Sequence, residues 1–178
     1  MKHDLKARIE EFNQLAGYEY IHVGLTSRDV TENIELYQIK LGLQHLREKS
    51  MFYLSILGEK IAEYKEIQYV ARTHNVPAQL STFGRRLAVI AEELISAISK
   101  LDYEISNLKF RGLKGAVGTS ADLNFLFGDT EVDVMEKNLA EYFGFNNIMN
   151  SVGQIYPRSY DFGLDRKSTR LNSSHANI

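Results

Sequence analysis

Apolar residues along this chain fall mainly at helical spacing. From Met1 to Gly17, Leu5, Ile9, Phe12 and Leu15-Ala16 lie on one helical face, and Gly17 suits a C-terminal stop. From Val30 to about Gln68, Ile39, Leu43, Leu46, Ser50, Tyr53 or Leu54, Leu57 and Ile61 recur in alternating steps of three and four. Gly42 and Gly58 weaken that pattern by ~1 kcal/mol each relative to Ala without ending it, and no proline interrupts it before Pro77. A helix of this extent is a rod of roughly 55–60 Å. A second rod follows, with Phe83, Leu87, Ile90, Leu94, Ile98, Leu101, Ile105 and Leu108 close to a heptad seam. The short connection between the rods predicts an antiparallel pair. Such a hairpin has no globular core of its own, so its apolar seams require further helices, from more chain or from other subunits.

Between and beyond the rods lie polar segments. YEYIHVGLTSRD, Tyr18 to Asp29, is a turn-rich connection ahead of the first rod. Its hydroxyls, Thr26 and Ser27, have two readings. They flank a helix start that Ser27 or Asp29 can cap, or they bind an anion at the free N–H groups of that start. His22 has three readings: core, cap or ligand. His45, on the first rod, reads as solvated or packed. Lys2-His3-Asp4 reads as a charged helix N-terminus in which Asp4 favours the dipole. ARTHNVPAQLSTFGRR, Ala71 to Arg86, is the loop between the rods and carries Thr73 and His74. RGLKGAVG, Arg111 to Gly118, has regularly spaced glycines but lacks the Gly-Lys-Ser/Thr ending of a phosphate loop. A flexible loop that lets backbone approach a ligand is the other reading. Thr119 to Gly144 reads as loop and then helix, and Gly144 to Tyr160 as a connection bearing Gln154 and Arg158.

Composition narrows the picture. The 178 residues are 44% hydrophobic with a net charge of -2, which gives no electrostatic reason to expect nucleic acid or a membrane surface as partner. There is no cysteine, which removes disulfides and Cys-based metal sites and fits a reducing compartment, the cytoplasm. No apolar run is long enough to span a membrane, and MKHDLKARIEEF has no apolar signal-peptide core. The terminal DRKSTRLNSSHANI, Asp165 to Ile178, has no hydrophobic period. Its reverse translation resembles one frame of a short-read sequencing adapter. Residues 165–178 are therefore expected to be a non-native tail, the Asn172-Ser173-Ser174 glycosylation match carries no meaning, and His175 is no ligand.

Five segments together resemble the adenylosuccinate lyase family within the fumarase/aspartase superfamily: KHDLKAR, HVGLTSRDVTEN, ARTHNVPAQLSTFGRR, RGLKGAVGTSADL and VGQIYPRSYD, in that order. The resemblance covers essentially all of residues 1–164. It implies an all-α fold of long antiparallel helices from a central helical bundle, here truncated. Residues 1–28 would end an N-terminal domain, and 29–164 would be part of the central long-helix domain. It also implies a homotetramer with active sites assembled from three subunits, a small nucleotide substrate, and β-elimination of fumarate. His74 matches the family's general acid, since imidazolium can donate a proton near neutrality. Lys2, His3, Asp4, Thr26, Ser27, Thr73 and Gln154 match substrate-binding positions. His22 matches the histidine ahead of the Thr-Ser motif. The family more often has Arg where Lys2 stands, so a planar fork is lost there. No metal or organic cofactor is implied.

Two family features have no counterpart in this sequence: the N-terminal Arg-Tyr substrate motif, and the mobile loop whose serine is the catalytic base. The chain alone is therefore expected to be inactive although its parent is an enzyme. Two other readings stand beside this one: a sister lyase such as an argininosuccinate-type enzyme, and a non-catalytic helical oligomerisation scaffold.

Overall fold

A computed structural model describes residues 4–165; Lys2, His3 and all of the adapter-like tail except Asp165 lie outside them. Helix dominates: α1 (Asp4–Ala16), α2 (Ser27–Glu63), α3 (Phe83–Asn107), α4 (Ala121–Phe127) and α5 (Asp129–Tyr142). Residues 159–165 are helical as well. The strands form two small sheets. β1 (Gln68–Thr73) pairs antiparallel with β2 (Val76–Thr82), and β3 (Lys109–Phe110) pairs parallel with β4 (Asn147–Ile148). The all-α expectation holds as a mostly helical fold. The described residues divide into two compact units, 4–41 with 106–162, and 42–105 with 163–165.

In the second unit, the later part of α2 runs antiparallel to α3. Arg47 pairs with Asp102, while Phe83 N donates to Ile67 O at 2.8 Å and Gly84 N to Tyr64 O at 2.9 Å. Partners therefore rise along one helix as they fall along the other. The buried seam of α2 here is Leu43, Ser50 and Leu57, at heptad spacing, with Ser50 Oγ donating to Leu46 O at 2.8 Å. Facing residues on α3 are Gly84, Ala91, Leu94, Ile98 and Leu101. Gly84 marks a close approach of the α3 backbone to the end of α2 and the residues just past it. A Cβ built there would sit 2.6 Å from Ile61 O and 2.7 Å from Lys65 Cα. Both are main-chain atoms, so the helices would have to separate. Gly84→Ala is expected to lower stability by about 1–3 kcal/mol, the usual cost of overpacking, measurable as a lower urea midpoint at unchanged slope.

The connection between the rods is a β-hairpin rather than a loop. His74 and Asn75 have φ of 50° and 63°, and Thr73 pairs with Val76. Two successive residues at positive φ make the tight turn whose twist matches the flanking strands. The register slips between Ala71 and Arg72, leaving Ala78 as the extra residue of a bulge. Pro77 is tolerated beside it because the ladder is already interrupted there.

In the first unit, α1 ends as expected: Gly17 has φ 74° and its N–H reaches Asn13 O at 2.9 Å. α2 begins at Ser27, three residues before the apolar pattern does. The segment expected as one helix after Thr119 is two, α4 and α5, parted at Gly128 with φ 90°. The apolar core here includes Leu113, Leu123 and Val132, with Leu25, Met135 and Leu139 packed against them. Phe110 stacks near Phe145 and Phe143, with ring centroids at 5.5 and 6.0 Å. Lys40 projects from α2 to the C-terminal end of α5 and donates to Phe143 O at 3.2 Å and to Gly144 O. A cation at that end of a helix offsets the dipole, although burial pulls the ammonium below its ordinary pKa. Elsewhere the apolar faces are open: Leu15 is 84% exposed and Phe125 91%.

Candidate active site

The start of α2 organises the first unit. Thr26 N donates to Asp29 Oδ2 at 2.9 Å, and Asp29 N to Thr26 O at 3.0 Å. This is the carboxylate half of a capping box, with Asp29 reaching back over the first turn. Thr26 and Ser27, both half-buried, flank that turn. A cavity of about 520 Å³ opens beside them, walled by Leu5, Ile9 and Asn13 of α1, by His22, Thr26 and Ser27, and by Ala116 and Asp122. Three of the residues singled out from sequence (His22, Thr26 and Ser27) therefore share one cavity. Asn13 was not among them. Its Oδ1 is buried without a hydrogen-bond partner among the described residues, so it is an acceptor in the cavity wall that a ligand N–H or O–H could satisfy.

The glycine-rich segment is a cradle for carboxylates of the protein itself. Asp29 Oδ1 accepts from Lys114 N at 2.9 Å, and Gly115 N reaches both Asp29 oxygens at 3.1–3.2 Å. Leu113 N donates to Glu136 Oε1 at 2.7 Å, and Lys114 Nζ to Glu136 Oε2 at 2.9 Å. Gly112, with φ 92°, packs so closely on Glu136 that a Cβ would lie 2.3 Å from Oε1. Gly118, with φ 87°, lies against Val152 O, where a Cβ would come within 1.9 Å. Here glycine serves close approach of backbone to backbone and to a side chain.

Arg111 sits at the centre. It has no exposed surface, and neither has Glu32. Its Nη1 pairs with Asp29, its Nε lies 3.1 Å from Glu32 Oε2, and its Nη2 donates to Gly153 O at 3.2 Å and Gln154 O at 2.7 Å. Asn33 closes the set. Its Oδ1 accepts from Arg111 N and Gly112 N, and its Nδ2 donates to Asp29 O and Gly112 O, all at 2.8–3.2 Å. All four hydrogen-bonding positions of that amide are therefore used. Glu32 also accepts from Tyr156 N at 2.9 Å and Arg158 Nη2 at 3.0 Å. The Tyr156 hydroxyl donates to Asp161 Oδ1 at 2.7 Å. Burial, then this bond to a carboxylate, raises its pKa above the ordinary value.

Asp4 and Gln154, the other described candidates of the first unit, do not line the α2 cavity. Asp4 starts α1 with its Oδ1 accepting from Leu5 N at 2.8 Å. Gln154 is exposed, held by its backbone carbonyl. Thr73 and His74 are exposed at the turn of the β1–β2 hairpin, in the second unit. Among the described residues, no cluster of three or more His, Asp or Glu side chains is arranged to hold a metal. None of the helices there is long and apolar enough to cross a membrane.

Long helices, with Thr26 and Ser27 lining a cavity at one helix start, define the class as a mostly helical protein. A family model described as Lyase matches residues 1–160, and the chain belongs to that family. It is 30% identical over 168 residues to an adenylosuccinate lyase of Saccharomyces cerevisiae, covering 92% of this chain and 35% of that protein. An adenylosuccinate lyase of Schizosaccharomyces pombe is 33% identical over 167 residues, with the same coverages. One from Schistosoma mansoni is 32% identical over 178 residues, 97% of this chain and 37% of that one. The chain thus spans little more than a third of the length of these curated relatives. Among solved structures, a fumarate lyase from Mesorhizobium sp. BNC1 superposes with a TM-score of 0.71 over 98% of this chain and 43% of that one, at 18% identity. A 3-carboxy-cis,cis-muconate lactonizing enzyme from Pseudomonas putida gives 0.69 over 83% and 32%, at 20% identity. Both likenesses are of fold.

Proposed function

We propose that this chain is part of a purine-pathway lyase that eliminates fumarate from adenylosuccinate, leaving AMP, and from the related succinyl-carboxamide ribotide. The reading rests above all on the match to adenylosuccinate lyases over 92–97% of the chain at 30–33% identity. The cavity at the start of α2 supports it chemically: Lys6, His22, Thr26 and Ser27 line it, and a cation, an imidazole and two hydroxyls suit a phosphate or carboxylate. In the reaction, a base removes a proton from the succinyl carbon and the C–N bond breaks. The electron pair of the C–H bond forms the fumarate double bond, and an acid protonates the departing nitrogen. His74 is the acid and Thr73 binds substrate beside it. Lys2, His3, Asp4, Thr26, Ser27 and Gln154 hold the substrate, with His22 near the Thr-Ser pair, and no cofactor takes part. The base is the serine of a loop that residues 1–164 do not contain, and the full-length protein is a cytoplasmic homotetramer.

Two measurements test this. A full-length version, offered a panel of succinyl-nitrogen substrates, should release fumarate from the two purine compounds. Preference for argininosuccinate would move the assignment to the sister lyases, and no turnover on any would leave the scaffold reading. The 178-residue chain alone should give no fumarate above background, and turnover by it would refute the claim that its base is missing.

A further inference from the structure

Gln154 lies in an irregular stretch, residues 149–158, between β4 and the last helical residues. Past Met149, whose N–H reaches Phe110 O at 2.8 Å, no ladder holds this stretch, yet it presents an exposed amide. What holds it is a pair of buried charges. Arg111 Nη2 takes the carbonyls of Gly153 and Gln154 at 3.2 and 2.7 Å. Glu32 Oε2 takes the N–H of Tyr156 at 2.9 Å, and its Oε1 takes Arg158 Nη2 at 3.0 Å. The contacts bracket Gln154 on both sides. The same guanidinium pairs with Asp29, whose other oxygen accepts from Thr26 N.

We infer that Glu32 and Arg111 are positioning residues: together they hold the Gln154 backbone and the Thr26–Ser27 helix start in one frame. Neither side chain has surface through which to meet a ligand, so both act through the residues they hold. The inference rests on the lyase reading, in which Gln154 and the two hydroxyls bind substrate. Charge-assisted bonds suit the task, being stronger and more directional than neutral ones. Misplacing a binding group by about 1 Å can cost on the order of 100-fold in rate.

The test is a double-mutant cycle in the full-length protein. Glu32→Gln keeps the shape but loses the charge and one acceptor oxygen. It should lower kcat/KM for the succinyl nucleotide on the order of 10- to 100-fold. In a Gln154→Ala background the same change should cost several-fold less, because one of the two groups being positioned is gone. Equal losses in both backgrounds, or no loss in either, would overturn the proposal. Arg111→Lys, which keeps a cation but not the fork, repeats the cycle should Glu32→Gln fail to fold. Amide hydrogen exchange separates this idea from the lyase reading. Glu32→Gln should speed exchange at Tyr156 by at least about tenfold while α5 is unchanged, whatever the substrate. Unchanged exchange at Tyr156 would also overturn it.

Discussion

Replacing Arg111 by Met is expected to lower folding stability by about 3–5 kcal/mol, the usual range when one partner of a buried ion pair is removed. The guanidinium lies between Asp29 and Glu32 with no exposure of its own. Its loss would not fall equally on the two. Asp29 keeps the N–H groups of Thr26, Lys114 and Gly115. Glu32 keeps Tyr156 N and the half-exposed Arg158, and the carbonyls of Gly153 and Gln154 lose the donor they share. Most of the cost should therefore arise at Glu32 and at these carbonyls. Adding Glu32→Gln should then recover about 1–2 kcal/mol, because the uncompensated charge is removed. Arg111→Lys should fall between, keeping charge but not the planar fork. Urea unfolding followed by helical circular dichroism measures all three. A loss below about 1 kcal/mol for Arg111→Met would mean that water already reaches the cluster and that its charges are not desolvated.

What could be read without coordinates follows from range. The rods were legible because their seams repeat locally: Leu43, Leu57, Leu94, Ile98 and Leu101 are all buried. Gly84 and Ala91 escaped because a seam search looks for large apolar residues, whereas close backbone approach needs small ones. The hairpin escaped because its turn is His-Asn, without the glycine that marks such turns in sequence. The helix start at Thr26-Ser27 was read as a cap or an anion site; Asp29 forms the cap, and Thr26 and Ser27 line a cavity. Arg111 and Asp29 stand 82 positions apart, and no local pattern joins them. A signal was nonetheless present. Asp29, Glu32, Asn33 and Leu36 fall at i, i+3, i+4 and i+7, a core-facing stripe whose first members are polar. Polar residues on an interior stripe imply buried partners elsewhere. The arginine that opens the glycine-rich segment was the available cation.

If the proposed lyase reading holds, the largest expected effect on activity is that of His74→Gln in the full-length protein: fumarate release should fall by about 10²–10⁴-fold, the contribution of a positioned acid or base. His74 occupies the first position of the hairpin turn with its side chain exposed. The fold asks little of it there beyond a tolerated positive φ, which Asn and His adopt more readily than most residues. Gln tolerates that backbone less well, so the substitution should cost on the order of 1 kcal/mol, and a large kinetic loss in enzyme that is still folded would report on chemistry. Gln keeps polarity and hydrogen bonding but has no proton to transfer. The loss should also depend on the leaving group. A substrate analogue whose nitrogen departs readily without protonation should be affected far less than adenylosuccinate, because the acid assists only where negative charge builds on nitrogen. Asn75→Gly, which makes the turn easier to form, is the matched control and should leave turnover within a fewfold of the parent. Thermal melts of the two variants alongside fumarate absorbance separate folding from catalysis. Wild-type-like turnover by His74→Gln would remove the acid from this hairpin and favour a structural role for the histidine.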